Sequence, residues 1–351
     1  GVELSGLHLN EGHCTFAMLE LLKRGWSREQ LAQRSLFTTH TPVPAGHDRF
    51  EWPLVEDVIG DLLPTDAKEL VRSAGDPEHG ARCSMSHLAV SLSTTVNAVS
   101  KLNADVAMTM FDQNIQPITN GVHHITWTSP VMASLFDKHL TDWRIQPESI
   151  SNANTLPTID LMEARSKARR QLHDYVQSTT GVELFSDRLT IGFARRFATY
   201  KRANLVFKDL ERLRAIGAGK IQFVFSGKAH PRDKGGKQLI RDIFESAHQI
   251  ADEIPVAFIE NYDMHTGLMM TSGVDIWLNN PIRPMEASGT SGMKAAMNGV
   301  PNCSILDGWW PEACLHGVNG WAIGNAEDDR NDDRDAENIY NVLQHDVIPL
   351  W

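Results

Sequence analysis

The sequence predicts an α/β protein built on a mostly parallel sheet with helices on both faces. Two observations lead there. Beyond residue 188, short apolar runs alternate with helical patterns, and the connections between them are short. A β-α-β-α order of this kind makes neighbouring strands parallel and lays the crossover helices over the sheet. The chain has 351 residues, enough for two domains and a large buried core.

Taken in order, residues 14–35 read as a helix, with Phe16, Leu19, Leu22 and Trp26 at helical spacing and Gly25 near its end. Residues 37–53 read as a His- and Pro-rich loop, because Pro42 and Pro44 forbid a regular helix. Residues 85–103 read as a helix with Met85, Leu88, Leu92, Val96 and Val99 on one stripe. Residues 160–178 read as a polar amphipathic helix carrying Lys167, Arg169, Arg170 and Tyr175. Strands follow at 189–193, 221–225, 256–259, 274–278 and 302–306. Helical patterns come after the first (Leu205, Leu210, Leu213), the second (235–251) and the fourth, which leads to Lys294. In such sheets ligands sit beyond the C-terminal ends of strands, where Arg196, Gly227, Tyr262, Pro281 and Asp307 fall. The acidic run from Glu327 to Glu337 reads as a solvated face or a helix lead-in.

Composition narrows the function. Hydrophobic residues make up 42% and charged residues 22%, as in ordinary globular chains. A net charge of −11 argues against general binding to nucleic acid or to an anionic membrane. No signal peptide is visible and no apolar run approaches the ~18 residues of a membrane span, so the expected location is cytoplasmic. Cys14, Cys83, Cys303 and Cys314 fit neither a zinc site nor a disulfide framework; reduced thiols and no metal are expected. His8 to His13 lacks the spacing of a zinc protease, Gly227-Lys228 lacks the rest of a Walker A loop, and His123-His124 reads as structural.

The stretch Glu286-Ala287-Ser288-Gly289-Thr290-Ser291-Gly292-Met293-Lys294 carries most of the chemistry. Small residues let backbone N–H groups approach a ligand, and the helix start that follows favours negative charge. A lysine just inside such a turn can contact a phosphate or, with a neutral amine, form a Schiff base. Taken alone, such a turn is more often an ordinary connection with a surface lysine. Arg195, Arg196 and Lys201 cluster after a strand, which suits a phosphate, though alone they read as a solvated basic face. His40 reads equally as a loop histidine bonded to nearby backbone.

That stretch does not stand alone. Leu9-Asn10-Glu11-Gly12-His13, Thr38-Thr39-His40-Thr41-Pro42, Thr119-Asn120-Gly121-Val122 and Gly192-Phe193-Ala194-Arg195-Arg196-Phe197-Ala198-Thr199-Tyr200-Lys201-Arg202 precede it in that order. Together they resemble the α-glucan (glycogen, starch, maltodextrin) phosphorylases over nearly the whole chain. The resemblance implies a two-domain, glycosyltransferase-B-type architecture with the active site in the cleft. Residues 1–119 would be the last part of the N-terminal domain, and 120–351 most of a Rossmann-like C-terminal domain. It implies retaining phosphorolysis of an α-1,4-glucan by inorganic phosphate to give α-glucose 1-phosphate, with Lys294, Arg196, Lys201 and His40 as the catalytic set. Lys294 would hold pyridoxal 5'-phosphate as a Schiff base. Thr290, Ser291 and Gly292 would receive the cofactor phosphate, with Arg195 beside it and Trp127 and Tyr262 packed nearby. Arg196 and Lys201 would bind substrate phosphate. Asn120, Glu286 and the backbone of Ala287, Ser288 and Gly289 would hold glucose hydroxyls, with His40 at the reacting end and His13 in the sugar-proximal loop.

The implied partners are glucan and inorganic phosphate, with neither nucleic acid nor membrane, and the full-length protein has room for a homo-oligomer. Ser291-Gly292 stands where longer animal and plant enzymes have Gly-Asn, which points to the bacterial and archaeal branch. Both ends look cut, so the chain is expected to be an internal fragment, lacking a Gly-rich loop upstream. Two rivals remain. One is a nucleotide-sugar glucosyltransferase of the glycogen-synthase type, which Glu286 to Gly289 and Val318-Asn319-Gly320-Trp321 would suit equally. The other is a non-catalytic fragment that only binds cofactor or glucan. Lys294-Ala295 and Tyr200-Lys201-Arg202 favour the phosphorylase.

Overall fold

The computed structural model describes residues 4–43, 46–73 and 82–351. Gly1-Val2-Glu3 at the start, and Pro44 and Ala45 of the proline-rich loop, lie outside the described residues. The chain divides into two compact units, Gly1–Asn120 with Pro284–Ser288, and Gly121–Arg283 with Gly289–Trp351.

The first unit holds β1 (Leu7–Asn10), β2 (Ser35–Thr39), β3 (Arg49–Glu51), β4 (Arg82–Ser84), β5 (Thr95–Ala98) and β6 (Gln116–Pro117). β1, β2, β5 and β6 form one parallel sheet in that order, while β3 and β4 pair as an antiparallel ribbon. Helices Thr15–Lys23, Arg28–Arg34 and Met85–Ser91 pack Met18, Leu19, Leu31 and Leu88 against Phe37 and Val96 of the sheet.

Three expectations are corrected here. The helix expected over 14–35 is two helices, because Ser27 and Gln30 form a reciprocal capping box that starts a new one at Arg28. The loop expected over 37–53 contains the end of β2 and all of β3. The helix expected over 85–103 stops at Ser91; β5 follows, and Ser100 then caps the helix Lys101–Phe111 by accepting from Asn103 N. β5 is buried along most of its length, so its apolar residues extended the helical stripe by coincidence.

The second unit holds β7 (Leu189–Ala194), β8 (Ile221–Ser226), β9 (Val256–Ile259), β10 (Ile276–Asn279), β11 (Asn302–Ile305) and β12 (Gly320–Ile323). All pair in parallel in the order β12-β11-β10-β7-β8-β9. β7 and β8 are buried throughout, as strands covered on both faces must be. Side chains alternate between the faces. Phe223 and Phe225 of β8 join Leu213, Leu239, Ile243 and Ile339 on one side. Val224 joins Leu172, Val176, Met270 and Ala295 on the other. Burying each such large side chain contributes about 1.5–3 kcal/mol over leaving it exposed. Helices Leu210–Gly217, Lys234–Ile250 and Asp332–Val342 therefore cover one face, and Thr158–Thr180, Met264–Gly273 and Thr290–Met297 the other.

β12 and the helix Met264–Gly273 are additions to the sequence reading. The acidic run is also more than a solvated face. It enters the helix Asp332–Val342, whose first turn carries Asp332, Asp333 and Asp335, and two of these pair with a buried arginine. Acids in that turn complement the helix dipole. Counted from β7, the strand order reverses between β7 and β10. That is the switch point where open parallel sheets form their ligand crevice.

Candidate functional site

In the second unit the loops after β7 and β10 meet at that switch point. Arg195 directly follows β7 and is 7% exposed. Its Nη2 donates to Ser291 Oγ at 2.9 Å, and Trp277 Nε1 of β10 donates to the same oxygen at 3.3 Å. Ser291 lies in the first turn of the helix Thr290–Met297, with Thr290 ahead of it and buried Gly292 behind. Gly292 has no room for a side chain: a Cβ would stand 2.4 Å from Asn302 Oδ1, whose amide donates to Gly292 O. Gly227, after β8, is equally constrained, since a Cβ there would meet Arg195 O at 2.0 Å. A helix start, a buried guanidinium and closely packed glycines make a ready cradle for an anion.

Lys294 sits on the same helix, with Nζ 3.5 Å from the Trp127 ring centroid. Burial pushes its pKa below the ordinary lysine value. Asn298 fixes this pairing: Nδ2 donates to Trp127 O and Lys294 O, and Oδ1 accepts from Ser129 N. Trp127 and Tyr262 come together around Gly267, where a Cβ would lie 3.0 Å from the Tyr262 hydroxyl and 3.6 Å from the indole. Burial raises the Tyr262 pKa, with Arg195 acting against it, so the phenol stays protonated and near that cation. Lys201 is 8% exposed and lies over the Tyr200 ring, whereas Arg196 faces solvent at the end of β7. The structure therefore gathers Arg195, Ser291, Lys294, Trp127 and Tyr262 with direct or shared contacts, and leaves Arg196 outside that set.

In the first unit the candidates lie at the C-terminal ends of β1, β2 and β5. Glu11 accepts from Gly12 N (3.3 Å), Thr41 N (3.1 Å) and His40 N, and the His40 ring pairs through Nε2 with Asn10 Oδ1. The partner of His40 is thus a side chain rather than the backbone. Burial lowers the His40 pKa and favours the neutral ring. His13 is exposed in the short turn Gly12–Cys14. Asn120 N donates to Val99 O at 3.0 Å, and Ser100 Oγ donates to Ala287 O at 2.7 Å. The latter bond holds the segment with buried Glu286 and Ser288 beside the end of β5.

His123 caps the helix His124–Trp127, and His124 pairs with Arg144 O, so both serve local structure. Among the described residues, no three His, Cys, Asp or Glu side chains are placed to hold a metal, and no helix is long and apolar enough to cross a membrane. Asn298, Gly267 and Asn302 were not singled out from the sequence. Asn298-Gly299 carries only a generic helix-stop signal.

The carbohydrate phosphorylase family matches residues 50–312. The maltodextrin phosphorylase of Thermococcus litoralis is 38% identical over 394 aligned residues, covering 100% of this chain and 47% of that protein. The glycogen phosphorylase of Aquifex aeolicus is 36% identical, covering 100% of this chain and 57% of the relative. That of Mycobacterium tuberculosis is 34% identical, covering 98% and 46%. The chain thus spans about half the length of these relatives. The family has the glycosyltransferase-B type of architecture, and this chain belongs to the carbohydrate phosphorylase family.

Proposed function

We propose that the protein carrying this chain is a retaining α-1,4-glucan phosphorylase that releases α-glucose 1-phosphate. The observation that carries the reading is Lys294: a half-buried, pKa-lowered amine against Trp127, one helical turn from the Arg195–Ser291 anion cradle. These residues fit pyridoxal phosphate. Lys294 would attach it, the first-turn residues Thr290, Ser291 and Gly292 with Arg195 would take its phosphate, and Trp127 and Tyr262 would flank it. When bound, that group supplies a phosphate able to exchange a proton with substrate phosphate.

The chain's own residues do the rest. Arg196 and Lys201 would hold inorganic phosphate, whose negative charge in turn offsets the positive charge developing at the anomeric carbon. His40, kept neutral by burial and donating through Nε2 to Asn10 Oδ1, keeps Nδ1 to accept from a sugar hydroxyl. Asn120, Glu286 and the backbone of Ala287, Ser288 and Gly289 would fix the remaining hydroxyls and so orient the ring. A phosphate oxygen then bonds to the anomeric carbon while the glycosidic oxygen leaves with a proton. The substrate class, glucan with inorganic phosphate, agrees with the names of the relatives.

The test uses the full-length protein. Added pyridoxal phosphate, trapped with borohydride and mapped by peptide analysis, should label Lys294, and glucan with phosphate should yield glucose 1-phosphate. A folded protein with no label at Lys294 removes the cofactor assignment. Label without product removes the phosphorolysis.

A further inference from the structure

Arg202 has no part in the reactions above, yet it is one of the most enclosed charges in the second unit, 4% exposed. Its backbone is left-handed, with φ 47° and ψ 47°, a conformation costly for a side-chain-bearing residue. Nε donates to Asn280 O at 3.1 Å and Nη2 to Pro281 O at 2.7 Å, both in the loop after β10. Nη1 donates to Asp332 at 2.9 Å and Asp335 at 2.7 Å, in the first turn of the helix Asp332–Val342. The connection is returned by the backbone. Asn280 Nδ2 donates to Arg202 O at 2.7 Å, and Ile282 N donates to Tyr200 O at 2.8 Å.

One planar fork thus laces residues 199–202, after β7, to residues 280–282, after β10, at the switch point of the sheet. Lysine cannot copy this: it is a point charge without a fork that reaches two carbonyls and two carboxylates at once. The aspartates have their own task, because a guanidinium buried this far without counter-charge would destabilise the fold strongly.

We infer that Arg202 is a positioning residue for phosphate binding. It fixes the loop that presents Lys201 by bonding the carbonyls of Asn280 and Pro281, with Asp332 and Asp335 as its counter-charges. The kinetic consequence rests on the phosphorolysis reading, whereas the lacing of the loops does not.

The experiment uses the full-length protein with two changes that separate the roles. Arg202→Lys keeps a positive charge beside the aspartates and loses the carbonyl bonds. Its KM for inorganic phosphate should rise about tenfold or more, as misplacement near reacting groups does, with cofactor absorbance retained. Asp332→Asn with Asp335→Asn keeps the carbonyl bonds; it should lower the melting temperature and leave KM for phosphate little changed. Hydrogen exchange gives an independent reading: the Ile282 amide should lose protection in Arg202→Lys while the amides of β7 keep theirs. A phosphate KM that follows melting temperature in both variants would mean a merely structural role and would overturn the inference. If the wild type makes no glucose 1-phosphate, the phosphorolysis reading is what has failed. Unchanged Ile282 protection in Arg202→Lys then overturns the lacing on its own.

Discussion

The strand-end loops of the two units hold their candidate residues with opposite chemistry. In the first, the Glu11 carboxylate gathers backbone N–H groups from Gly12, His40 and Thr41. In the second, the Arg202 guanidinium gathers the carbonyls of Asn280 and Pro281. Both are side-chain-bearing residues at positive φ close to a candidate, His13 two positions on in one case and Lys201 adjacent in the other. They differ in strain and enclosure. Glu11, at φ 71° and ψ 167°, occupies a region almost reserved for glycine, and it is only half-buried. Arg202 takes the milder left-handed helical conformation and has a second layer of carboxylates behind it. On the proposed assignment, the sugar-side loop hangs on one strained acceptor, whereas the phosphate-side loop is cross-braced. A small, highly charged phosphate gains from cations that do not move. A polyol is held by many weaker bonds and tolerates a softer wall.

The largest effect should come from breaking the softer side. Glu11→Ala removes the acceptor for three backbone donors and keeps the strain, so it should destabilise the protein by about 2 kcal/mol. Glu11→Gly loses the same bonds but relieves the backbone, and should recover about 1 kcal/mol of that. Chemical denaturation of the pair checks it. If glycine is no better than alanine, the strain assigned to Glu11 is not there, and the contrast with Arg202 reduces to burial. With phosphorolysis running, both changes should raise the KM for glucan more than that for phosphate, the reverse of Arg202→Lys.

An intermediate effect belongs to the second unit and concerns charge rather than packing. Burial lowers the Lys294 pKa, while the face of Trp127 attracts the ammonium form. If burial prevails, the neutral amine is present at a lower pH than in an exposed lysine. Borohydride-trapped pyridoxal phosphate on Lys294 should then reach half its maximum below the pH needed for surface lysines of the same protein. Equal midpoints would mean that the indole compensates the burial, and that Lys294 is selected by shape alone.

The two units were not equally legible in the sequence. The second unit's strands stand out because they are short apolar runs, three of them with a helical pattern behind. Five of its six strands, the helices Thr158–Thr180 and Lys234–Ile250, and the strand-end positions of Arg196, Gly227 and Tyr262 follow from that pattern. β12 escaped because Gly320-Trp321-Ala322-Ile323 is glycine-led, although it is no shorter than β9, β10 or β11. In the first unit β5 was absorbed into a helix, since a strand buried on both faces has no alternation to separate it from a helical stripe. The motif residues around Lys294 could be proposed from their spacing and resemblance. The supports could not, because they are long-range. Arg202 meets Asp332 across 130 positions, and Asn298 meets Ser129 across 169. Local periodicity carries no trace of such pairs, so an acidic run that serves as counter-charge looks like a solvated face.

The smallest effect lies at the opposite end of the second unit's sheet, where His173 Nε2 meets Thr190 Oγ1 of β7 at 3.1 Å. Burial, with Arg169 nearby, lowers its pKa from 6.5 to about 4. The sign follows from proton counting. Between those values the unfolded chain carries a proton on His173 that the folded chain does not, so stability rises with pH across the window and falls as the solution is acidified through it. His40 and His47 of the first unit are also lowered by burial and push in the same direction. Removing one of the three histidines should therefore flatten the acid slope without abolishing it. His173→Gln keeps a polar partner for Thr190 and should lessen the fall in melting temperature from pH 6.5 to 4 by about 1–3 °C. Coincident slopes for mutant and wild type would show that His173 is solvated in solution, and would leave the acid slope to other groups, His40 and His47 among them.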